Sequence, residues 1–267
     1  MKKNLLVLCL LLFSSILVSQ TISLPEKELT AKLDSILKEA NMLYQYEKAA
    51  WNGCDLAIAN DEVKLGFRGY FVYQTDEGIH TIILGENFET SIAEYIFKDD
   101  FTNPYVIKTE KRPLSNKEKA LISIRGKIIE NISSDKYEVG VPDGFNLNLI
   151  LLPFADLYKL YIITGTPQSD IIPFGNDYLF ISDKNGNIES YKKFHSRLIP
   201  AYIQHDDKMI ISVTHSHLRD NPLITATDIC TFKLYAPLYN MNSFSVYSPA
   251  IGKYMEYNII DDNIVLK

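Results

Sequence analysis

The chain has 267 residues, a formal net charge of −6 and 46% hydrophobic residues, among them 17 Tyr and 13 Phe. This apolar content is enough for a sizeable core and excludes an intrinsically disordered chain. A mildly acidic chain without a basic cluster argues against nucleic acid or an anionic membrane surface as a partner.

The N-terminus has the pattern of a secretory signal peptide. Lys2 and Lys3 precede the apolar stretch 5–18, and small residues near Ser19 offer a cleavage site. Other apolar runs are shorter than the roughly 20 residues that a membrane-spanning helix needs. We therefore expect residues 1–19 to be removed and the mature chain to be exported, to the periplasm or the extracellular space. Loss of the two lysines changes the formal charge from −6 to −8, since no acidic residue is lost.

Two cysteines, Cys54 and Cys230, remain after this cleavage. An oxidising compartment permits a disulfide between them, but two cysteines do not define a disulfide framework. Their pairing is left open by the sequence.

Residues 20–140 have the pattern of an N-terminal α+β region. Apolar residues recur at helical spacing over residues 25–50, and Trp51–Asp55 is expected to end that helix. Ser115 and Glu118 form a capping-box pattern, which predicts a second helix to about Ile132. Short β-rich runs separated by turn residues predict antiparallel strands between the two helices, at 69–73, 80–84 and 92–97.

A polar stretch at 131–144, which contains a Pro-Asp-Gly turn signal, is the best candidate boundary between two halves of the chain. The region 141–267 then continues with strand patterns at 147–154 and 158–163. Asn185-Gly186 supplies the turn of a β-hairpin with strands at 178–181 and 188–194. The fold class predicted is therefore α+β, with mixed or antiparallel sheets and a few helices.

The richest chemical pattern lies between residues 209 and 228. An apolar run at 209–214 predicts a buried strand, and His215 and His217 follow it one residue apart, so both imidazoles project to one face. Asp228 follows at the start of a helical pattern, with the hydroxyl of Thr225 one turn before it. Two imidazoles and one carboxylate, with a fourth position for water, are the ligand set of a catalytic zinc site. The alternative is that the histidines are half-exposed polar residues and that Thr225 and Asp228 only cap a helix.

The order His-x-His, seven residues, a hydroxyl residue, two residues and Asp resembles the motif of the JAMM (MPN+) metalloprotease family. His215, His217 and Asp228 match the three metal-ligand positions, and Thr225 matches the serine position. The resemblance implies a JAMM-like C-terminal half in which zinc activates a water molecule and Thr225 donates a hydrogen bond to the oxyanion. Through residues 224–230 the chain also resembles uncharacterised secreted bacterial proteins.

The resemblance also implies a general base upstream of the motif. The family has Glu there, and the nearest equivalent in this chain is Asp170, followed by the segment 171–175. Asp177 and Glu189 are weaker candidates because both fall in the hairpin region. The family usually has Pro after the second His, whereas Leu218 stands there in this chain.

Two functions follow from these observations. One is an exported zinc-dependent hydrolase of JAMM type that acts on a peptide or protein substrate. The alternative is a non-catalytic binding or structural protein that retains a metal site. Of the other histidines, His195 ends a hairpin strand, where it is a weaker candidate for a ligand or proton relay, and His80 is interpreted as structural.

Overall fold

The computed structural model describes residues 25–205 and 208–267, so the predicted signal peptide lies outside the described residues. The architecture is α+β, as the sequence predicts. The helices are α1 (Glu26–Ala59), α2 (Asp61–Gly66), α3 (Asn116–Ile132) and α4 (Ala226–Tyr235). Among the described residues, no helix combines the length and the apolar character needed to cross a membrane.

Helix α1 is longer than the sequence predicts. The expected break at Trp51–Asp55 is wrong, because the helix continues through Gly53 to Ala59. Gly53 allows close packing of α1 on the sheet: a Cβ atom built there would lie 2.7 Å from a side-chain methyl of Thr81. The indole nitrogen of Trp51 donates to Glu47 one turn earlier, at 2.9 Å, which also fits an uninterrupted helix. Tertiary packing therefore offsets the cost of about 1 kcal/mol that glycine carries inside a helix.

An antiparallel sheet packs against α1. Its strands are β1 (Gly69–Thr75), β2 (Gly78–Leu84), β3 (Thr90–Phe97), β4 (Val106–Lys108) and β5 (Arg112–Pro113). They are ordered β1-β2-β3-β4, with β5 also paired to β3. Helix α3 follows, and both hydrogen bonds of the capping box predicted at Ser115 and Glu118 are present.

A second antiparallel sheet contains the hairpin predicted around Asn185-Gly186. Its strands are β6 (Asn146–Phe154), β7 (Leu157–Gly165), β9 (Tyr178–Ser182) and β10 (Ile188–Lys193). Across the sheet they are ordered β10-β9-β7-β6. Two further pairs of strands lie outside this sheet. Strand β8 (Ile171–Gly175) pairs with β11 (Leu198–Tyr202), and β12 (Gln204–His205) pairs with β13 (Lys208–Met209).

The C-terminal sheet carries the histidine motif. Its strands are β14 (Val213–Ser216), β15 (Ser243–Ser248), β16 (Lys253–Asn258) and β17 (Asn263–Leu266). Strands β14 and β15 are parallel, and α4 makes the crossover between them, as parallel neighbours require. The predicted buried strand at 209–214 is wrong in extent: β14 begins only at Val213, and Ile211 is 85% exposed.

One large hydrophobic core joins the two predicted regions. Leu43 and Ala57 of α1, Ile83 of β2, and Ile229 and Phe232 of α4 belong to the same cluster of buried side chains. Residues on both sides of the predicted boundary at 131–144 therefore bury one another. The two cysteines are free thiols in this arrangement.

Candidate metal centre

The parallel pairing of β14 with β15 sets the positions of the two motif histidines. His215 pairs with Val246, and the backbone N–H of His217 extends the ladder by donating to Tyr247 at 3.0 Å. The alternation of side chains along the strand brings the Nε2 atoms of His215 and His217 within 3.2 Å of each other. The sequence prediction that both imidazoles share one face is confirmed.

Asp228 lies in the first turn of α4 and faces the histidines. Thr225 is the N-cap of the helix, and its N–H and hydroxyl both donate to Oδ2 of Asp228, at 3.0 and 2.6 Å. The same carboxylate lies 3.3 Å through Oδ1 from Nε2 of His215 and 3.2 Å through Oδ2 from Nε2 of His217. Capping and a ligand position, which the sequence posed as alternatives, therefore coexist in one residue.

A third histidine completes the site. His195 follows β10, and its Nε2 lies 2.9 Å from Nε2 of His217 and 3.4 Å from Oδ1 of Asp228. The sequence ranked His195 below the motif residues because nothing in its spacing links it to them, and its position at the end of a strand was the only available signal. We define the His3Asp cluster as the four residues whose ligand atoms lie within 4.8 Å of one another: His195, His215, His217 and Asp228.

The dimensions of the His3Asp cluster match those of a tetrahedral metal site. Ligands about 2.0–2.1 Å from a shared zinc ion lie about 3.3–3.4 Å from one another at the corners of a tetrahedron. Five contacts among these residues, counting either carboxylate oxygen of Asp228, run from 2.9 to 3.4 Å, and one ligand atom from each residue lies within 4.8 Å of the others. An ion at the centre therefore requires only small shifts of the side chains.

Hydrogen bonds at the far side of two rings fix which nitrogen carries the proton. Nδ1 of His217 faces the carbonyl oxygen of Leu223 at 2.7 Å, and Nδ1 of His195 faces Oδ1 of Asp177 at 2.7 Å. Both oxygens only accept, so each Nδ1 carries the hydrogen, and a neutral ring turns the lone pair of Nε2 towards the cluster. Such an outer hydrogen bond is the usual support of a metal-binding histidine.

The carboxylate also presents an unused acceptor to the centre. Oδ1 of Asp228 is buried and receives no hydrogen bond within the described part of the chain. A buried acceptor without a donor is costly, and here it faces imidazole nitrogens at 3.3 and 3.4 Å, which point lone pairs at the same space when the rings are neutral. A cation at the centre satisfies all of these atoms at once, so the residues present fit a metal ion.

The electrostatics of the metal-free cluster agree with this interpretation. Burial raises the pKa of Asp228, but the three imidazoles outweigh it and hold that pKa well below its usual value. Burial lowers the pKa of His195, but the carboxylates of Asp228 and Asp177 outweigh it and raise that pKa to about 9. Without a metal ion, the cluster therefore retains a proton on an imidazole, so the centre attracts positive charge in either state.

The site is closed to solvent. The side chains of the four residues are at most 6% exposed. The rings of Phe174 and Phe244 lie 5.1 and 6.2 Å from the ring of His215. His195 and this apolar cover fill the position that the sequence motif leaves for water.

Beyond the ligands, Asp177 is the carboxylate that supports the cluster. It is 2% exposed, and besides its bond to His195 it accepts a hydrogen bond from the hydroxyl of Thr227 through Oδ2. Asn221 adds a second support, since its side-chain amide donates to the carbonyl of Phe194 at 3.0 Å, next to His195.

The two residues predicted to be catalytic have different positions. The hydroxyl of Thr225 lies beside the cluster but is engaged with Asp228 and, at 2.9 Å, with Thr227. Asp170 is exposed, in a left-handed conformation (φ 62°), and its N–H bonds to the hydroxyl of Tyr239.

The structure does not bring Asp170 to the cluster. It precedes β8, and Phe174, which contacts His215, is four residues further on, about 13 Å along an extended strand. Asp177, which the sequence ranked below Asp170, is the carboxylate at that end. Glu189 is exposed on the hairpin.

Comparison with protein-family models, with curated proteins and with solved structures gave no match.

Proposed function

We propose that this chain binds one zinc ion in the His3Asp cluster and that the ion stabilises the C-terminal half of the fold. The observation that supports this most directly is the convergence of three imidazole nitrogens and one carboxylate, with ligand atoms all within 4.8 Å of one another, in a closed space. The ligands come from the end of β10, from β14 and the residue after it, and from the first turn of α4. One ion therefore joins three segments that are distant in sequence.

The donor set favours zinc over other common ions. Imidazole nitrogen and carboxylate oxygen in tetrahedral arrangement suit Zn²⁺, whereas Ca²⁺ and Mg²⁺ prefer six or more oxygen ligands. The two cysteines are not among the ligands, so soft-metal sites built on thiolates do not apply.

A closed set of four protein ligands favours a structural role for the ion. Structural zinc sites use four protein ligands, and catalytic sites keep one position for water or substrate. Here His195 takes the fourth corner, and its ring is fixed from behind by Asp177. The binding energy of the ion then contributes to the folding free energy, since the unfolded chain does not hold the ligands together.

The second candidate is the exported JAMM-type peptidase that the sequence predicts. It is supported by the order and spacing of His215, His217 and Asp228, with Thr225 one helical turn before the carboxylate. This function requires His195 to leave the metal, so that water and a peptide carbonyl gain access. The apparent signal peptide over residues 1–19 supports export under either candidate.

The test of the metal proposal is the zinc content of the purified mature protein. We expect close to one zinc per chain by elemental analysis. We expect none in His217→Ala, because the three remaining ligands no longer enclose the ion and bind it too weakly for it to stay bound during purification. His80→Gln is the matched control: it alters a buried histidine outside the cluster and should keep its zinc. A wild-type protein that takes up no zinc, even when zinc is added during refolding, contradicts the proposal.

The two roles are separated by activity on a mixed peptide library. The structural role predicts that zinc-loaded wild-type protein cleaves no peptide. Cleavage by the wild-type protein that is lost in Asp228→Asn would overturn the structural role and favour the peptidase. Cleavage that appears only in His195→Ala would show that His195 blocks an otherwise competent metal position.

A further inference from the structure

A pocket lies beside the His3Asp cluster but contains none of its residues. It has a volume of about 270 Å³, close to the lower end for small-molecule sites, and it is bounded by α1, β7, the end of β10 and the segment 221–226. The side chains that matter for its chemistry are Ile36, Tyr161, Lys192, Phe194, Leu223 and Ala226.

The base of the pocket is aromatic and apolar. The rings of Tyr161 and Phe194 are parallel within 2°, with centroids 6.3 Å apart. Ile36 from α1 and Leu223 from the segment before α4 add aliphatic surface. A lining of this kind recognises the hydrocarbon body of a ligand by burial of apolar surface.

Among the charged groups that line the pocket, one cation lies outside the ion pairs that the others form. Glu39 is neutralised by a bond from Lys159, and Lys32 pairs with Glu28 at 2.8 Å. Lys192 forms no ion pair in the part of the chain that the structure describes, residues 25–205 and 208–267.

The surroundings of Lys192 compensate its charge only in part. Its ammonium group lies 5.1 Å from the centre of the Phe194 ring. Burial lowers the pKa of Lys192, and the carboxylates of Asp220 and Asp177 oppose this without cancelling it. A ligand carboxylate would supply the missing negative charge.

We propose that this pocket binds a small organic acid, with its aromatic or aliphatic body against Tyr161 and Phe194 and its carboxylate bound by Lys192. The pocket offers apolar contact on one side and a cation on the other, which together select an amphipathic anion over a neutral ring or a free inorganic ion. The inference does not depend on the metal, because no ligand of the His3Asp cluster lines the pocket.

The test measures binding of phenylacetate and of its neutral isostere phenylacetamide to the full mature protein by titration calorimetry. We expect phenylacetate to bind with a dissociation constant in the millimolar range or below, and phenylacetamide about tenfold more weakly. Lys192→Met keeps the aliphatic stem and removes the charge, so it should weaken binding of phenylacetate about tenfold and leave phenylacetamide unchanged. Lys184→Met is the matched control, because that lysine is exposed on the hairpin and pairs with Asp156.

Three results would overturn the proposal: no heat of binding for phenylacetate at millimolar concentration, equal binding of the acid and the amide, or unchanged binding in Lys192→Met. A circular dichroism spectrum that matches the wild type ensures that a loss in Lys192→Met is not a loss of folding. An equal loss in Lys184→Met would assign the effect to net charge and also contradict the proposal.

Discussion

His80 and His195 are both buried histidines hydrogen-bonded to a carboxylate, yet the partners of their second ring nitrogens differ. Nδ1 of His80 lies 2.8 Å from Glu94, and its Nε2 lies 2.8 Å from the hydroxyl of Thr75. Nδ1 of His195 is likewise bound, to Asp177, but its Nε2 faces other imidazole nitrogens. A ring with a partner on each nitrogen is satisfied by the protein alone, whereas a ring whose second nitrogen meets further lone pairs requires a cation or an added proton.

The charges around the two histidines differ in the same way. Glu94 has cationic neighbours within the protein, with Arg112 at 3.2 Å and Lys108 at 3.4 Å. In the His3Asp cluster, the groups around Asp228 are imidazoles that carry charge only when protonated. A buried histidine beside a carboxylate is therefore not by itself a metal site; what distinguishes a metal site is convergence of several acceptors without a fixed cation.

The largest expected difference between the His3Asp cluster and the group formed by His80, Glu94 and Arg112 is their response to a chelator. Removal of zinc should lower the melting temperature by about 8–16 °C, since an ion present at a thousand times its dissociation constant contributes about 4 kcal/mol, and each kcal/mol corresponds to about 2–4 °C in a chain of this size. Thermal denaturation with and without chelator measures the shift, and added zinc should restore it. In His217→Ala the chelator should have no effect. A wild-type melting temperature that is insensitive to chelator contradicts a tightly bound ion.

Acid should weaken the group formed by His80, Glu94 and Arg112 over a defined pH range. The hydrogen bond from His80, helped by Lys108 and Arg112, outweighs burial and lowers the pKa of Glu94 to about 2. A depressed carboxyl pKa stabilises the folded state above the ordinary value of about 4.3, and this stabilisation is lost as the pH falls from there towards 2. The loss is at most about 3 kcal/mol for a shift of this size, and solvent screening of the charges reduces it.

We therefore expect Glu94→Gln to be less stable than the wild type at pH 7 but to lose less stability between pH 4.5 and pH 2. Urea unfolding at several pH values in that range measures the slope. Glu130→Gln, which removes an exposed carboxylate paired with Lys127, is the control and should keep the wild-type slope. Equal slopes in Glu94→Gln and the wild type would show that the network around Glu94 does not hold its pKa down.

The smallest expected effect tests the support behind the metal ligands. Asp177→Asn keeps an oxygen that accepts from Nδ1 of His195 but removes the negative charge, so zinc affinity should fall about 10–100-fold. Competition with a chromophoric chelator measures this change. Glu189→Gln, on the exposed hairpin, should bind zinc like the wild type. An unaltered affinity in Asp177→Asn would leave Asp177 a purely structural partner of Thr227.

Local pattern was sufficient for several features of the fold and of the site. The β-hairpin at Asn185-Gly186 and the helix capped by Ser115 form as predicted, because turn and cap chemistry act over a few neighbouring residues. The same holds for His215 and His217, whose common face follows from the period of a strand, and for Asp228, which lies one turn after the cap of α4.

Tertiary structure decided what depends on contacts between distant segments. Helix α1 continues through Gly53 because the sheet packs closely against it there. His195 joins the cluster because β10 ends next to β14 and α4 in space, which no spacing in the sequence indicates. For the same reason Asp177, and not Asp170, faces the site. The sequence by itself determined an α+β chain with His215, His217 and Asp228 spaced to converge, and the fold determined that His195 joins them, since this depends on which segments meet in space.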